Sequence, residues 1–333
     1  MKINHLFEKD KSEIEIRLEK LIKKYKIHGL NFALIKNYEI DFLLPLGKRD
    51  NKEKVTKNTL FQSASISKVV TSLIILKLVE LKKIKLSDDV NKYLQDFKIR
   101  DEKVTIRQLL SHSGGVSCSG FRGYSHKEKI PKISQIIRAE SPANSEKIFV
   151  KYKQGEYHYS GGGYTLLQKI IENITKDKFE DVAKKFIFEP LKMERSSFKK
   201  LTKRKTSNIS SGYEENKKVR GNFFFYPEKA AAGLWTTAED LAKLIIEIQS
   251  SYKGKSNKIL SKTIIKKILN PIIKAEGNFM GLGIFISKDK NLFYHAGSNV
   301  GFKSKFVTDF KGNGIVVLTN DSKGYDLIND LVS

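Results

Sequence analysis

Between Ser65 and Leu81 the chain reads SISKVVTSLIILKLVEL. Val69, Val70, Leu73, Ile74, Ile75, Leu76, Leu78 and Val79 leave a helix over this stretch almost no polar face. A helix that is apolar all round belongs in the centre of a core. Nowhere is an apolar run long enough to span a bilayer. The rest of the chain therefore has to supply layers that bury this helix. A length of 333 residues suits one composite or two ordinary domains.

The flanking segments say which layers. Ile14, Leu18, Leu21, Ile22 and Tyr25 recur at helical spacing, so residues 11–25 form an amphipathic helix. Residues 29–47 read as a β-hairpin around Lys36, Asn37 and Tyr38. Short helices are expected over 104–111, 163–175 and 178–189, the last ended by Pro190. Residues 202–222 are polar and aperiodic, as a loop or irregular strand would be. Thr237 with Asp240 three residues on has the form of a helix N-cap before the apolar run Leu241–Ile248, and residues 259–270 read as a further helix. The last sixty residues change to period two, with a turn at 311–314, and describe an antiparallel meander followed by a short helix from Tyr325. Strands at both ends with helices between predict an α+β fold. Residues 1–86 and 240–333 would build one sheet subdomain, and 87–239 a mostly helical insertion.

A net charge of +25 invites a polyanion partner, but only nine of the 62 basic residues are arginine. The lysines are spread along the whole chain instead of gathering on one arm, so no specific nucleic-acid partner is expected and most of them decorate a solvated surface. The single cysteine, Cys118, excludes an internal disulfide and a Cys-rich zinc site. Its small neighbours give no cation to activate the thiol. His5, His28, His126 and His158 show no metal-ligand spacing, and no dinucleotide or P-loop pattern is present, so no cofactor is expected. The first 25 residues hold no apolar stretch of signal-peptide length, which predicts a cytoplasmic protein as written, or a periplasmic or envelope one if a leader was removed.

Three constellations can carry chemistry. Ser65 and Lys68 are three apart at the start of the apolar helix and so project from one face. A lysine in a dry cleft loses its charge and can take a proton from a serine. The backbone N–H of a serine at a helix start points outward, as half of an oxyanion hole. The Ser-x-x-Lys spacing also occurs at Ser196, Ser197, Ser250 and Ser287, but only Ser65 opens a long apolar helix. The second constellation is Tyr159-Ser-Gly-Gly-Gly-Tyr164, where a tyrosine can serve as an acid or base if a nearby lysine lowers its pKa. The third is His295-Ala-Gly-Ser298 on a predicted strand, where the N–H of Ser298 can complete the oxyanion hole and Gly297 lets substrate approach the backbone. His112-Ser-Gly114 matches the same His-x-Gly pattern.

In this order the three resemble the serine β-lactamase and penicillin-binding-protein superfamily, and most closely its class C β-lactamase-like branch. FQSASISKVVTSL, VTIRQLLSHSGGV, YHYSGGGYTLLQKIIE, YPEKAAAGLWTTAEDLAKL and HAGSNVGF are similar to family segments and stand in family order. The resemblance implies an antiparallel sheet of five or more strands with helices on both faces and an inserted helical subdomain. It makes Ser65 the acylated nucleophile, Lys68 its activating partner and Tyr159 the acid/base. It sets His295, Gly297, Ser298 and Gly161 around the substrate and oxyanion. Two positions depart from the family. Gly161 stands where an asparagine is usual, and His295 where a lysine would bind a carboxylate. Both argue against an efficient β-lactamase.

The expected function is thus a serine hydrolase of ester, amide or peptide substrates, with cell-wall fragments among its possible partners. A class C-type β-lactamase or DD-carboxypeptidase is the alternative within the fold. A non-catalytic polyanion-binding or assembly protein is the alternative from another class.

Overall fold

The structure, a computed structural model, describes residues 3–95, 97–99, 103–201 and 208–333. Its strands are β1 (Gly29–Lys36), β2 (Glu39–Gly47), β3 (Phe61–Ala64), β4 (Tyr213–Glu214), β5 (Lys217–Lys218), β6 (Leu234–Thr236), β7 (Ile273–Ala275), β8 (Asn278–Met280), β9 (Phe285–Ile286), β10 (Leu292–Asn299), β11 (Phe302–Asp309) and β12 (Gly314–Thr319). Eight of them form one antiparallel sheet in the order β2-β1-β12-β11-β10-β9-β8-β7. β3 pairs with β6 in a small separate sheet. The α+β architecture is the one expected, with more strands than the minimum of five.

The hairpin 29–47 forms as predicted. Asn37 and Tyr38 both take positive φ, the geometry that matches the twist of a two-residue hairpin turn. β1 and β12 are interior strands buried on both faces, which is why they read as continuous apolar runs. On one face Ala33, Ile35, Val316 and Leu318 join the core around the helices Ser67–Glu80 and Ala238–Lys253. On the other, Leu30, Phe32, Leu34, Ile315 and Val317 meet the helices Lys11–Tyr25 and Gly324–Leu331. The first of these cores runs without a break from the sheet into the helical insertion.

Several boundaries moved. The apolar helix starts at Ser67, not Ser65, because β3 ends at Ala64 in a left-handed conformation (φ 48°) and the chain needs a turn before the helix can begin. Ser67 Oγ donates to the Ala64 carbonyl at 2.5 Å and closes that turn. The three glycines lie inside the helix Gly161–Thr175 instead of before it, and Ser160 is its N-cap, accepting from the Gly163 N–H at 2.8 Å. The helix expected over 178–189 is α-helical for Phe179–Ala183 and continues as a π-helical turn, Lys184–Phe188. The one expected over 259–270 contracts to Lys262–Ile268. Of the stretch 202–222, residues 202–207 lie outside the described residues; the remainder includes the short hairpin of β4 and β5. Thr237 caps its helix through Asp240 N–H as predicted.

Candidate active site

Ser65 sits in the turn between β3 and the Ser67–Glu80 helix, half-buried, while Lys68 is one turn further on and 2% exposed. Lys68 Nζ is 3.1 Å from Ser65 Oγ and 2.8 Å from the carbonyl of Ala231. That carbonyl belongs to the short helix Lys229–Ala232, within the segment YPEKAAAGLW. Thr71 Oγ1 ties the same helix down by donating to Ala230 O at 2.9 Å. Burial alone lowers the Lys68 pKa to about 7. Near neutral pH a large share of Lys68 is therefore the free amine, and the Ser65 hydroxyl can donate to it.

Tyr159 lies just before the Gly161–Thr175 helix, with Lys68 Nζ 4.9 Å above its ring centroid. Its pKa moves opposite to the sequence expectation. Burial pushes the phenol up, and its hydrogen bond with Ser65 offsets this only in part. Tyr159 therefore holds its proton at neutral pH. Ser65 thus contacts an amine whose pKa is brought down to about 7 and a phenol that is kept protonated, a pair able to separate proton acceptance from proton donation.

β10 and β11 join through the two-residue turn Val300–Gly301, so Asn299 and Phe302 are a hydrogen-bonded pair, and so are Gly297 and Ser304 two steps along. The N–H of Ser298 alternates with these and points away from β11. β9 pairs β10 only at Phe293 and Tyr294, so this edge is open. The N–H of Ser65 lies across the gap. A Cβ on Gly297 would come within 3.0 Å of it, and within 2.2 Å of the Ser63 carbonyl and 2.5 Å of Ser304 Oγ. Gly297 thus admits the β3–Ser65 turn against β10, which differs from the expected role of admitting substrate.

His295 is 1% exposed on β10. Its Nδ1 is 2.7 Å from the Ala296 carbonyl and therefore carries the proton. Burial, reinforced by the charge of Lys68, lowers its pKa to about 3, so it is a neutral ring where the family has a cation. Gly161 is buried beneath Phe121; a Cβ there would be 2.8 Å from the Phe121 ring and 3.4 Å from Cys118 O, so an aromatic ring occupies the space a side chain at Gly161 would take. Cys118 is buried with its pKa raised to about 11, the inert thiol expected.

Sequence reasoning left out His112. Its ring lies 4.3 Å from that of Tyr159, tilted by 30°, and its Nδ1 accepts from the Ser160 N–H at 3.0 Å. It also missed the Ala231 carbonyl, and it did not foresee that the Tyr164 ring lies 5.6 Å from Lys68 Nζ while its hydroxyl donates to Leu110 O. A histidine two residues before the Gly114-Gly115 pair was the available signal for His112. Among the described residues no cluster of His, Cys, Asp and Glu could hold a metal ion, and no helix is long and apolar enough to cross a membrane.

Comparison with known proteins places this site in context. A profile of the β-lactamase family matches residues 14–330. Protein flp of Staphylococcus aureus (strain N315) is 29% identical over 325 residues, covering 94% of this chain and 64% of that protein. The teichoic acid D-alanine hydrolase of the same species is 28% identical over 268 residues, covering 78% of this chain and 62% of its own length. The chain thus spans less than two thirds of these curated relatives. Among solved structures, the octameric penicillin-binding protein homologue from Pyrococcus abyssi superposes with a TM-score of 0.82 at 27% identity, over 97% of this chain and 77% of that one. A penicillin-binding protein from Bacillus halodurans (TM-score 0.76, 22% identity, 94% and 98%) shares the fold.

Proposed function

Since the chain belongs to the β-lactamase family, we propose that it is a serine hydrolase that forms an acyl-enzyme through Ser65. The observation that carries this reading is the 3.1 Å contact of Ser65 Oγ with a buried lysine whose pKa burial lowers to about 7. Lys68 takes the Ser65 proton as Oγ attacks the carbonyl carbon. The N–H groups of Ser65 and Ser298 hold the oxyanion. As the tetrahedral intermediate collapses, Tyr159 gives its proton to the leaving oxygen or nitrogen, and the Lys68 ammonium restores it. Water then attacks the acyl carbonyl, and the proton path runs in reverse, freeing the acid and Ser65.

For substrate, an acyl ester such as a D-alanyl ester of a cell-wall polyol fits best. The neutral His295 offers no cation for the carboxylate that penicillins and D-Ala termini carry, and a relative is named for hydrolysis of D-alanine from teichoic acid. Intact-protein mass after incubation with a fluorophosphonate or a fluorescent penicillin should show one adduct, absent in Ser65→Ala. An adduct that persists in Ser65→Ala overturns the assignment. Turnover of nitrocefin or a D-Ala-D-Ala peptide well above that of D-alanyl esters would move the substrate to the β-lactamase or DD-carboxypeptidase class.

A further inference from the structure

The two N–H groups proposed to hold the oxyanion come from different sheets. Ser65 follows β3, which pairs with β6, while Ser298 lies on β10 of the large sheet. Among the described residues no strand ladder joins β3 to β10, yet an oxyanion hole works only if the distance between its donors is held. Two buried side chains cross the gap instead. Ser304, on β11 opposite Gly297, donates through Oγ to the Ser63 carbonyl at 2.8 Å. Asn299, on β10, donates through Nδ2 to Gln62 Oε1 at 2.7 Å and to the Ala232 carbonyl at 3.1 Å. Ser63 and Gln62 stand just before Ser65 on β3, and Gly297 and Asn299 flank Ser298. The bridges therefore straddle the donor on one strand and lead up to the donor that follows the other.

Both bridges have a fixed direction. The Ala232 carbonyl can only accept, so the Asn299 atom facing it is the amide nitrogen. The same nitrogen meets Gln62, which turns Oε1 toward it, and Gln62 Nε2 then reaches another pure acceptor, the Phe224 carbonyl, at 2.8 Å. Ser304 is fully buried, and Gln62 and Asn299 are 3% and 4% exposed, so bulk water does not compete for these bonds. The strands are also close where Ser304 joins them, since a Cβ on Gly297 would lie 2.2 Å from the Ser63 carbonyl. The second acceptor of Asn299 adds a link. Ala232 ends the short helix whose Ala231 carbonyl accepts from Lys68 Nζ at 2.8 Å. One amide thereby ties the oxyanion strand both to the nucleophile's strand and to the helix that anchors the base.

We propose that Asn299 and Ser304 are positioning residues that clamp β10 to β3 and so set the gap between the Ser65 and Ser298 N–H groups, with Gln62 as the partner that Asn299 grips. The inference rests on the acyl-enzyme reading above, which supplies the oxyanion. Neither side chain has to touch substrate. Loss of a clamp lets the two donors drift, and a misplacement of about 1 Å at a reacting centre costs about a hundredfold in rate.

The test compares a p-nitrophenyl ester with its thiono counterpart, in which sulfur replaces the carbonyl oxygen. Sulfur is larger and a weaker acceptor, so a well-set oxyanion hole favours the oxygen ester. The ratio of the two kcat/KM values reports the hole, and it does not change when a variant merely leaves less folded protein. Wild type should prefer the oxygen ester by about a hundredfold or more. Asn299→Ala and Ser304→Ala should each lower kcat on the oxygen ester by about ten- to a hundredfold, keep KM within about threefold, and lower the ratio by about tenfold. Gln62→Met should lower the ratio too. The double variant Gln62→Met/Asn299→Ala should match Asn299→Ala alone, because both substitutions remove one bond. A discriminating wild type whose ratio survives in both alanine variants, or multiplicative losses in the double variant, overturns the clamp and leaves the acyl-enzyme reading standing. A wild type that hydrolyses both esters alike, or a Ser65→Ala protein that still turns them over, overturns the acyl-enzyme reading and the clamp with it.

Discussion

Two lysines on opposite sides of the large sheet are treated in opposite ways. Lys24, at the end of the helix Lys11–Tyr25, meets Asp330 at 2.7 Å in solvent, and that contact raises its pKa. The same carboxylate accepts from Tyr25 Oη, and Arg17 donates to the Asp330 carbonyl, so the seam between the first and last long helices is stitched by complementary charges and dipoles. Lys68 has two neutral oxygens for company and is lowered to about 7 by burial. The seam keeps its charge at little energetic consequence, because exposed pairs contribute little. The cleft gives up charge and holds an amine that can accept a proton near neutral pH. The difference shows that the abundance of lysine says nothing of function here; the absence of water around one of them does.

That contrast can be broken at its stronger end first. Lys68→Met should lower kcat/KM by about 10²–10⁴-fold, measured with any ester that acylates Ser65. It should also move stability the other way. The folded pKa of Lys68 lies below its unfolded value, so between about pH 7 and 10.5 the unfolded chain binds more protons and wild-type stability rises with pH. The methionine variant should melt higher than wild type at pH 7, and its melting temperature should lack the part of this rise that Lys68 supplies. A variant that is both slower and less stable would mean that Lys68 serves packing first.

The next effect is graded. With Lys68 as the base, kcat/KM should fall about tenfold per pH unit below about 7, and a profile flat down to pH 5 would contradict the assignment. Gly297→Ala places a Cβ against Ser63 O and Ser65 N. It should cost about 1–3 kcal/mol of stability and about tenfold in rate by widening the gap between the two oxyanion donors. Asp330→Asn is the smallest expected change. It should shift the melting temperature by less than about 3 °C and leave kcat at wild-type level, and a large kinetic effect would show that the seam communicates with the cleft.

Much of the fold could be read from periodicity because its elements bury one definite set of side chains. The all-apolar helix, the 29–47 hairpin and the Thr237 cap are each decided by residues close in sequence. Ser65, Lys68 and Tyr159 could be singled out as candidates for the same reason: each stands at a junction that local pattern marks. What escaped depends on contacts distant in the chain. His112 approaches Tyr159 from a left-handed turn 48 residues before Ser160, a meeting no local pattern announces. The Ala231 carbonyl is backbone, which no residue type announces. The direction of the Tyr159 pKa depends on how much water its ring excludes, and that is a property of the assembled cleft. The π turn at Lys184–Phe188 carries no glycine or proline to mark it.

The pairing of β1 with β12 has a consequence for how the molecule is made. Leu30 lies opposite Thr319, and Ile35 opposite Gly314, so two adjacent interior strands of the sheet come from distant parts of the sequence. A ribosome adding about 5–20 residues per second would expose the N-terminal hairpin for on the order of tens of seconds before its neighbour exists. During that interval β1, apolar on both faces, has one unpaired edge. Folding of the nascent chain is therefore gated by translation of the final meander, and a pause before Gly314 would lengthen the time in which this strand can pair with another chain instead.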